Sequence, residues 1–327
     1  MANHFISISS VGTVTLPPMG GIAESVHVID KESIDAINAA LATRRPLLVR
    51  GEPGTGKSQL ARAAAVLLKR NFLVHSVDAR TETRDLLWTM DAVARLATAQ
   101  LMSALHNVDE NVVERRVGVL KFIQPGPIWW AFDGKSAAEQ AASAGVGVPS
   151  RWNGSVGSVV LVDEIDKADS SVPNGLLDAL GHGRFDVQGR PPVEMNPAHV
   201  PLIIMTTNEE RAMPDAFLRR CLVLHLSLPE IRDQLIEELV KRGRAHVQLR
   251  KDRSMCADSI LRKAAEQLAT DREEHKSRDL SPPGLAEYID LVHAVAELRP
   301  GDEPGQRKLL DEISKFMYRK HPPEQMR

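Results

Sequence analysis

Eight consecutive residues, Gly51-Glu52-Pro53-Gly54-Thr55-Gly56-Lys57-Ser58, set three glycines, a lysine and a hydroxyl at the spacing that wraps a polyphosphate. The glycines let successive backbone N–H groups curl around phosphate oxygens, and the positive end of a following helix adds to their field. Lys57 would reach the β and γ phosphates, Ser58 would ligate magnesium, and Gln59 completes the candidate nucleotide-binding set. The alternative is a glycine-rich turn between a strand and a helix. An apolar stretch over residues 46–50 and an Ala-, Leu- and Lys-rich stretch over 57–70 supply the strand and helix that mark the pattern as phosphate-binding.

A second cluster follows the apolar run Val159-Val160-Leu161-Val162, which ends in Asp163-Glu164. Carboxylates just beyond the C-terminal end of a buried strand stand where open parallel sheets bind ligands. Asp163 would hold magnesium and Glu164 would activate the attacking water, because phosphoryl transfer must orient a nucleophile as well as neutralise charge. Solvated carboxylates at a strand end are the alternative, and the phosphate-loop pattern weighs against it. Asp166 reads as a helix cap or surface charge. The run over 202–208 ends in Asn208, which would reach the γ-phosphate and the water beside Glu164, or simply hold a turn. Arg219 and Arg220 stand where a helix leads into the strand at Leu222. Their planar forks suit phosphate oxygens, including those of a neighbouring subunit, and a pair of surface cations is the other reading. Trp129, Trp130 and Phe132, behind a Pro125-Gly126-Pro127 turn, read as core packing or as a partner-facing surface.

To place these groups at one edge, the chain needs strands that enter and leave in the same direction. Lys31–Thr43 has helical apolar spacing, and strands are expected over 46–50, 71–77, 159–162, 202–205 and 222–226. Helical stretches separate them, which implies a parallel sheet with helices on both sides. The segment before Asp30 reads as an irregular arm. Ten of the fifteen residues over 136–150 are Ala, Gly or Ser, a composition that predicts a mobile loop. From residue 230 only helical patterns remain, over 230–242, 259–270, 283–298 and 306–318. The expected domains are an α/β core over 1–228, with an inserted segment at about 81–157, and a helical lid over 229–327.

With 327 residues, 43% apolar and 26% charged, the chain is a two-domain globular protein and not a disordered or collagenous one. No apolar run reaches the ~20 residues of a membrane span, and residues 1–10 lack the basic start of a secretion signal, so a cytoplasmic protein is expected. Cys221 and Cys256 make no stapling framework, and no His or Cys pair has zinc-ligand spacing. Lys plus Arg is 41 against 43 for Asp plus Glu, so nonspecific nucleic-acid binding is not expected.

Together, the phosphate loop, the run closed by Asp163-Glu164, the strand end at Asn208 and the Arg219-Arg220 pair, followed by a helical region, resemble the AAA+ ATPases. Within them the chain is similar to the MoxR branch, through the Asp85-Leu86 segment, the Gly-Pro-Ile turn at Gly126 and a hairpin expected over 183–201. The resemblance implies a magnesium-dependent ATPase with a P-loop α/β core, a parallel sheet sandwiched by helices, and a small all-helical C-terminal lid. Lys57 and Ser58 then fall in Walker A, Asp163 and Glu164 in Walker B, and Asn208 at sensor 1. Arg220 is the finger for a neighbouring subunit's site, with Arg219 second. It further implies a ring of identical subunits, a hexamer, that remodels, matures or loads a cofactor into a partner protein, often beside a von Willebrand A domain protein. A nucleotide-controlled assembly switch or scaffold, and a GTP-using motor of a DNA-processing complex, are the alternatives. One departure stands out: many relatives carry a basic sensor-2 residue at the start of the third lid helix, where this chain has Leu280-Ser281-Pro282-Pro283-Gly284, with Arg278 as the nearest basic substitute.

Overall fold

Leu47, Leu48 and Val49, Val159 to Val162, and Leu202 to Met205 are all at 5% exposure or less, so both faces of these runs are out of water. That is the state of strands covered by helices on each side. The computed structural model describes residues 5–104, 109–249 and 256–318. The ends of the expected domains, at 1–4 and 319–327, and residues 105–108 of the expected insertion lie outside the described residues.

The chain opens with β1 (Gly12–Leu16) and β2 (Ser25–Ile29), then α1 (Lys31–Thr43), β3 (Leu47–Arg50), α2 (Lys57–Leu68) and β4 (Asn71–Ser76). Short elements follow: α3 (Thr83–Leu87), β5 (Trp88–Met90), α4 (Ala92–Ala104), α5 (Glu110–Val117), β6 (Ile123–Pro125), α6 (Pro127–Phe132) and α7 (Gly134–Ser143). Next come β7 (Ser158–Asp163), α8 (Ser171–His182), β8 (Arg184–Phe185), β9 (Val193–Glu194), β10 (Leu202–Thr207), α9 (Asp215–Leu218) and β11 (Leu222–His225). Four long helices close the chain: α10 (Arg232–Leu249), α11 (Asp258–Ser277), α12 (Leu285–Leu298) and α13 (Glu303–Tyr318).

The sheet is the parallel five-stranded one expected, in the order β11-β3-β10-β7-β4, with β7 paired in parallel to both β10 and β4. In that register Met205 and His75 flank Val162, so β10, β7 and β4 bring their C-terminal ends to the same edge. The hairpin expected over 183–201 is β8 paired antiparallel with β9. The chain divides into two compact units. One comprises Glu32–Val49 and Ala64–Leu224 with the N-terminal residues to Ser7; the other comprises Ile8–Lys31, Arg50–Ala63 and the chain from His225 onward.

Two expectations are corrected. The segment before Asp30 is not an irregular arm: β1 and β2 form an antiparallel hairpin, with Gly12 opposite Ile29 and Leu16 opposite Ser25. Val14 and Leu16 alternate inward, and Gly20 and Gly21 take positive φ in the connection that Pro17 and Pro18 disguise as disorder. Nor is the Ala/Ser-rich stretch a mobile loop through its first half, which is α7. Alanine is the best helix former, and the Asp133 carboxylate caps the helix by accepting from the Ser136 N–H at 3.1 Å. Small residues let α7 sink into the core, burying Ser136, Ala137, Gln140 and Ala141. There the Ser136 hydroxyl accepts from Trp129 Nε1 at 2.9 Å, and Gln140 Nε2 donates to the carbonyls of Leu120 at 2.6 Å and Ile123 at 2.8 Å.

The tryptophan cluster is core. Trp129 is fully buried and Trp130 nearly so, with Trp129 edge-on to Phe185 at 6.1 Å and Trp130 to Trp152 at 5.1 Å. Of the long helices, α10 and α11 outrun the ends expected at 242 and 270, reaching Leu249 and Ser277. Apolar residues alone set the expectation, whereas the Glu274–Arg278 pair, four residues apart, supports the polar last turn of α11.

Gln140→Leu tests the corrected reading of α7, because the leucine keeps the volume and removes the donor to the buried Ile123 carbonyl and the half-buried Leu120 carbonyl. Urea unfolding is expected to show a loss of about 2 kcal/mol or more; a mobile, solvated segment would tolerate the change.

Candidate functional site

The phosphate-loop residues belong to the unit that includes the β1–β2 hairpin and the long helices. Gly51 lies so close to the chain leaving β11 that a Cβ would stand 2.1 Å from the Leu226 carbonyl oxygen, and Leu226 N–H donates to the Arg50 carbonyl at 2.8 Å. Only glycine fits there. Gly54 and Gly56 take positive φ, +76° and +95°, and so turn the loop back onto the start of α2. Lys57 is buried, and its Nζ donates to the carbonyls of Gly51 at 2.7 Å and Glu52 at 2.9 Å; the Thr55 hydroxyl also donates to Glu52 O at 2.9 Å. A cationic amine is thus fixed inside a glycine-turned loop at a helix N-terminus, an arrangement suited to a polyphosphate.

Two further contacts hold this loop. The Glu52 carboxylate accepts from Arg272 of α11 at 2.8 Å, and the other arm of that guanidinium donates to the Pro283 carbonyl at 2.6 Å. Beneath Gly56 lies His27 of β2, buried and hydrogen-bonded to the side chain of Gln59. Desolvation first, and the Arg242 charge second, push the His27 imidazole down to about 4. Gln59, an expected nucleotide contact, therefore has a partner in the fold.

In the other unit, β7 ends in Asp163 and the chain turns at Glu164, whose φ of +60° is unusual for a residue with a side chain. The buried Thr206 of β10 holds this turn: its hydroxyl accepts from Glu164 N–H at 2.8 Å and donates to Asp163 Oδ1 at 2.5 Å. Both oxygens of Glu164 are engaged. Asn208 Nδ2 donates to Oε1 at 3.0 Å, and Lys167 Nζ donates to Oε2 at 2.6 Å. The hydrogen bond to Glu164 and its charge push the Lys167 amine up. Asn208, expected at the γ-phosphate and the water beside Glu164, donates to Glu164 itself. Asp166 does not behave as predicted: it is 3% exposed and its Oδ2 accepts from Glu210 N–H at 3.0 Å, because the short turn Ile165–Lys167 rolls it inward against the segment after Asn208.

Ser58 and Asp163, the expected magnesium ligands, lie one in each unit. Among the described residues no three His, Cys, Asp or Glu side chains gather as a metal cluster. Each offers an oxygen of the kind magnesium takes, Ser58 a hydroxyl and Asp163 a carboxylate that Thr206 orients.

Arg219 and Arg220 are exposed on the short passage from α9 to β11. Arg45 fixes that passage from behind: its guanidinium donates to the carbonyls of Arg219, of Arg220 at 3.1 Å and of Cys221 at 3.2 Å. Arg44, Arg45, Arg219 and Arg220, with Asp178 and His182, line a cleft of about 530 Å³. Arg278, the expected basic substitute near the third long helix of this region, pairs instead with Glu274 at 3.0 Å.

Sequence reasoning missed Thr206, Lys167, Arg45, His27 and Arg272. Lys167 had a local signal, three residues after Glu164, and Thr206 sat inside the run already singled out. Arg272 had none, since its partner is 220 residues away.

The profile of the family described as AAA domain (dynein-related subfamily) matches residues 46–221. None of the curated proteins compared matches the chain. Among solved structures, a RuvB mutant from Thermotoga maritima is 15% identical, covering 89% of this chain and 77% of that one, with a TM-score of 0.38. The Thermotoga maritima RuvB Holliday junction branch migration motor is 16% identical, covering 88% and 74%, with a TM-score of 0.37.

His27 gives the loop a pH signature. Its folded pKa, about 4, lies below the ordinary value of 6.5, so as pH falls the unfolded chain takes up the proton first. Stability is full above pH 6.5 and declines toward pH 4, with on the order of 2 kcal/mol lost by pH 5. Urea unfolding at pH 7 and pH 5 is expected to show that much less difference in His27→Leu than in the wild type.

Proposed function

The chain belongs to the AAA domain family, in its dynein-related subfamily, and is an ATPase; we propose that it works as a MoxR-type ring, using magnesium-ATP to remodel or mature a partner protein. The observation that supports turnover is the treatment of Glu164. A carboxylate at the end of a buried strand is oriented through one oxygen by Asn208 and through the other by Lys167, beside an Asp163 oriented by Thr206.

In this reading the turned loop and Lys57 bind the β and γ phosphates; Ser58 and Asp163 would be the ligands of magnesium, which would neutralise phosphate charge during transfer. Glu164 orients the attacking water and accepts its proton. Asn208 keeps the carboxylate aimed. Lys167, whose side chain is 40% exposed, swings aside as water takes its place at Oε2. Arg220, with Arg219 second, projects from its fixed backbone to the phosphates of a neighbouring subunit, which makes a ring the working form. The remodelled partner is a protein, with a von Willebrand A domain protein as a candidate co-worker, and the site of action is the cytoplasm.

Lys57→Ala is expected to lose ATP binding, measured at equilibrium with magnesium, because the loop's only fixed amine is gone. Glu164→Gln is expected to bind ATP normally and lose most turnover, since Asp163 is untouched while the proton acceptor is removed. Retained turnover in that variant would assign water activation to another group.

Arg220→Ala is expected to bind ATP and to hydrolyse it on the order of 10³-fold more slowly. Mixing it with Glu164→Gln separates subunits, since an interface is complete when the first supplies the nucleotide site and the second the finger. Equal mixing restores roughly one quarter of the interfaces, if sites act independently in head-to-tail contacts. Mixed rings that stay as inactive as either parent would count against a site shared between independently firing subunits.

A further inference from the structure

Arg272 is 5% exposed and carries a charge that it cannot shed, so it must be paired where it lies. Nearby acids of its own bundle are otherwise occupied: Asp271 accepts from Gln267, and Glu287 accepts from the Gly284 N–H at 3.0 Å. Arg272 instead reaches Glu52, a phosphate-loop residue whose side chain remains 40% exposed. A stabilising ion pair of the bundle alone would not need that partner.

Glu52 is the residue on which the loop is tied. Its carbonyl takes both Lys57 Nζ and the Thr55 hydroxyl, and its carboxylate takes Arg272. The start of α12 lies against the same loop. A Cβ on Gly284 would stand 3.1 Å from the Pro53 carbonyl oxygen, and one on Gly54 would stand 3.0 Å from the Ala286 Cβ. A side chain at Gly284 would press on the Pro53 carbonyl, and residues 280–284 carry no charge. The cation at this place comes from α11, and its second arm fixes the Pro283 carbonyl in the turn before α12.

We propose that Arg272 is a positioning residue for nucleotide binding: by gripping Glu52 and Pro283 together it holds the phosphate loop in its binding shape and ties that shape to the turn between α11 and α12. This rests on the ATP-binding reading above. Loss of either member of the pair frees the loop, and loss of both frees it no further, because the two side chains act through one contact.

The experiment is a double-mutant cycle of Glu52→Ala and Arg272→Met, read by equilibrium binding of ATP and by hydrogen exchange of the amides over 54–58 and 284–287. Each single variant is expected to bind ATP about tenfold more weakly, and the double variant about tenfold rather than about a hundredfold. Exchange is expected to rise at both segments in all three. Arg272→Lys keeps the charge without the two-armed fork and is expected to recover binding only in part. Thermal unfolding identifies variants that fail to fold. Should Arg272→Met be one, Glu52→Ala decides, because its side chain is half in water. Folded Glu52→Ala that binds ATP as wild type does, with unchanged exchange over 284–287, overturns the proposal, as do losses that multiply to about a hundredfold. Wild type that binds no ATP, or Lys57→Ala that binds it normally, defeats the ATP-binding reading instead and leaves the exchange coupling to be read separately.

Discussion

The phosphate loop depends on one close approach, that of Gly51 to the carbonyl of Leu226. There is no room for a Cβ between them, and the neighbouring Leu226–Arg50 hydrogen bond keeps the two stretches of chain together. Everything downstream in the loop inherits that anchor. With Gly51 fixed, the carbonyls of Gly51 and Glu52 accept from Lys57 Nζ, which sets its amine within the loop instead of in solvent. A flexible lysine has rotamer entropy of about 2 kcal/mol to lose on binding a phosphate, and one already fixed has lost it at folding.

The acidic end of β7 solves the converse problem of holding negative charge in place. Two adjacent carboxylates repel, and the chain takes a left-handed turn at Glu164 at a backbone cost of order 1 kcal/mol. Thr206 stabilises that turn because one hydroxyl serves both residues, accepting from the Glu164 N–H and donating to Asp163. The buried Asp166 belongs to the same device, since it captures Glu210 N–H and so holds the segment that carries Asn208. A residue that reads as surface charge is thus part of the frame of the site.

What the sequence made legible was local. The phosphate-loop spacing, the apolar runs of β3, β7 and β10, and Lys31–Thr43 could be read because strand and helix periods and turn chemistry act over a few residues. The β1–β2 hairpin was missed because two prolines in its connection carry a stronger loop signal than two short strands carry a sheet signal. In α7 the composition argument failed for a stated physical reason: Ala and Ser bury little surface as a free chain, but they let a helix approach a tryptophan core closely enough for Gln140 to reach two carbonyls. Asn208 was found by its place at a strand end, whereas Arg45 needed the fold to bring the start of β3 beside the passage into β11.

Arg272 shows why proximity in sequence misleads when the requirement is for a charge and not for a particular residue. Arg278 was the nearer candidate along the chain to the turn before α12, yet it ends α11 facing Glu274, one turn behind it on the same helix. Six positions earlier, an arginine on the buried side of α11 can extend along the helix toward the turn, and its length lets the guanidinium touch both Pro283 and Glu52. The steric conditions match: Gly284 and Ala286 are small where the loop touches α12, and the cation comes from α11. A cation buried this deeply is costly unless every arm is used. Glu52 supplies the charge that Arg272 needs and Pro283 the second acceptor, so the physical unit to look for in such a chain is the pair and not the lone arginine.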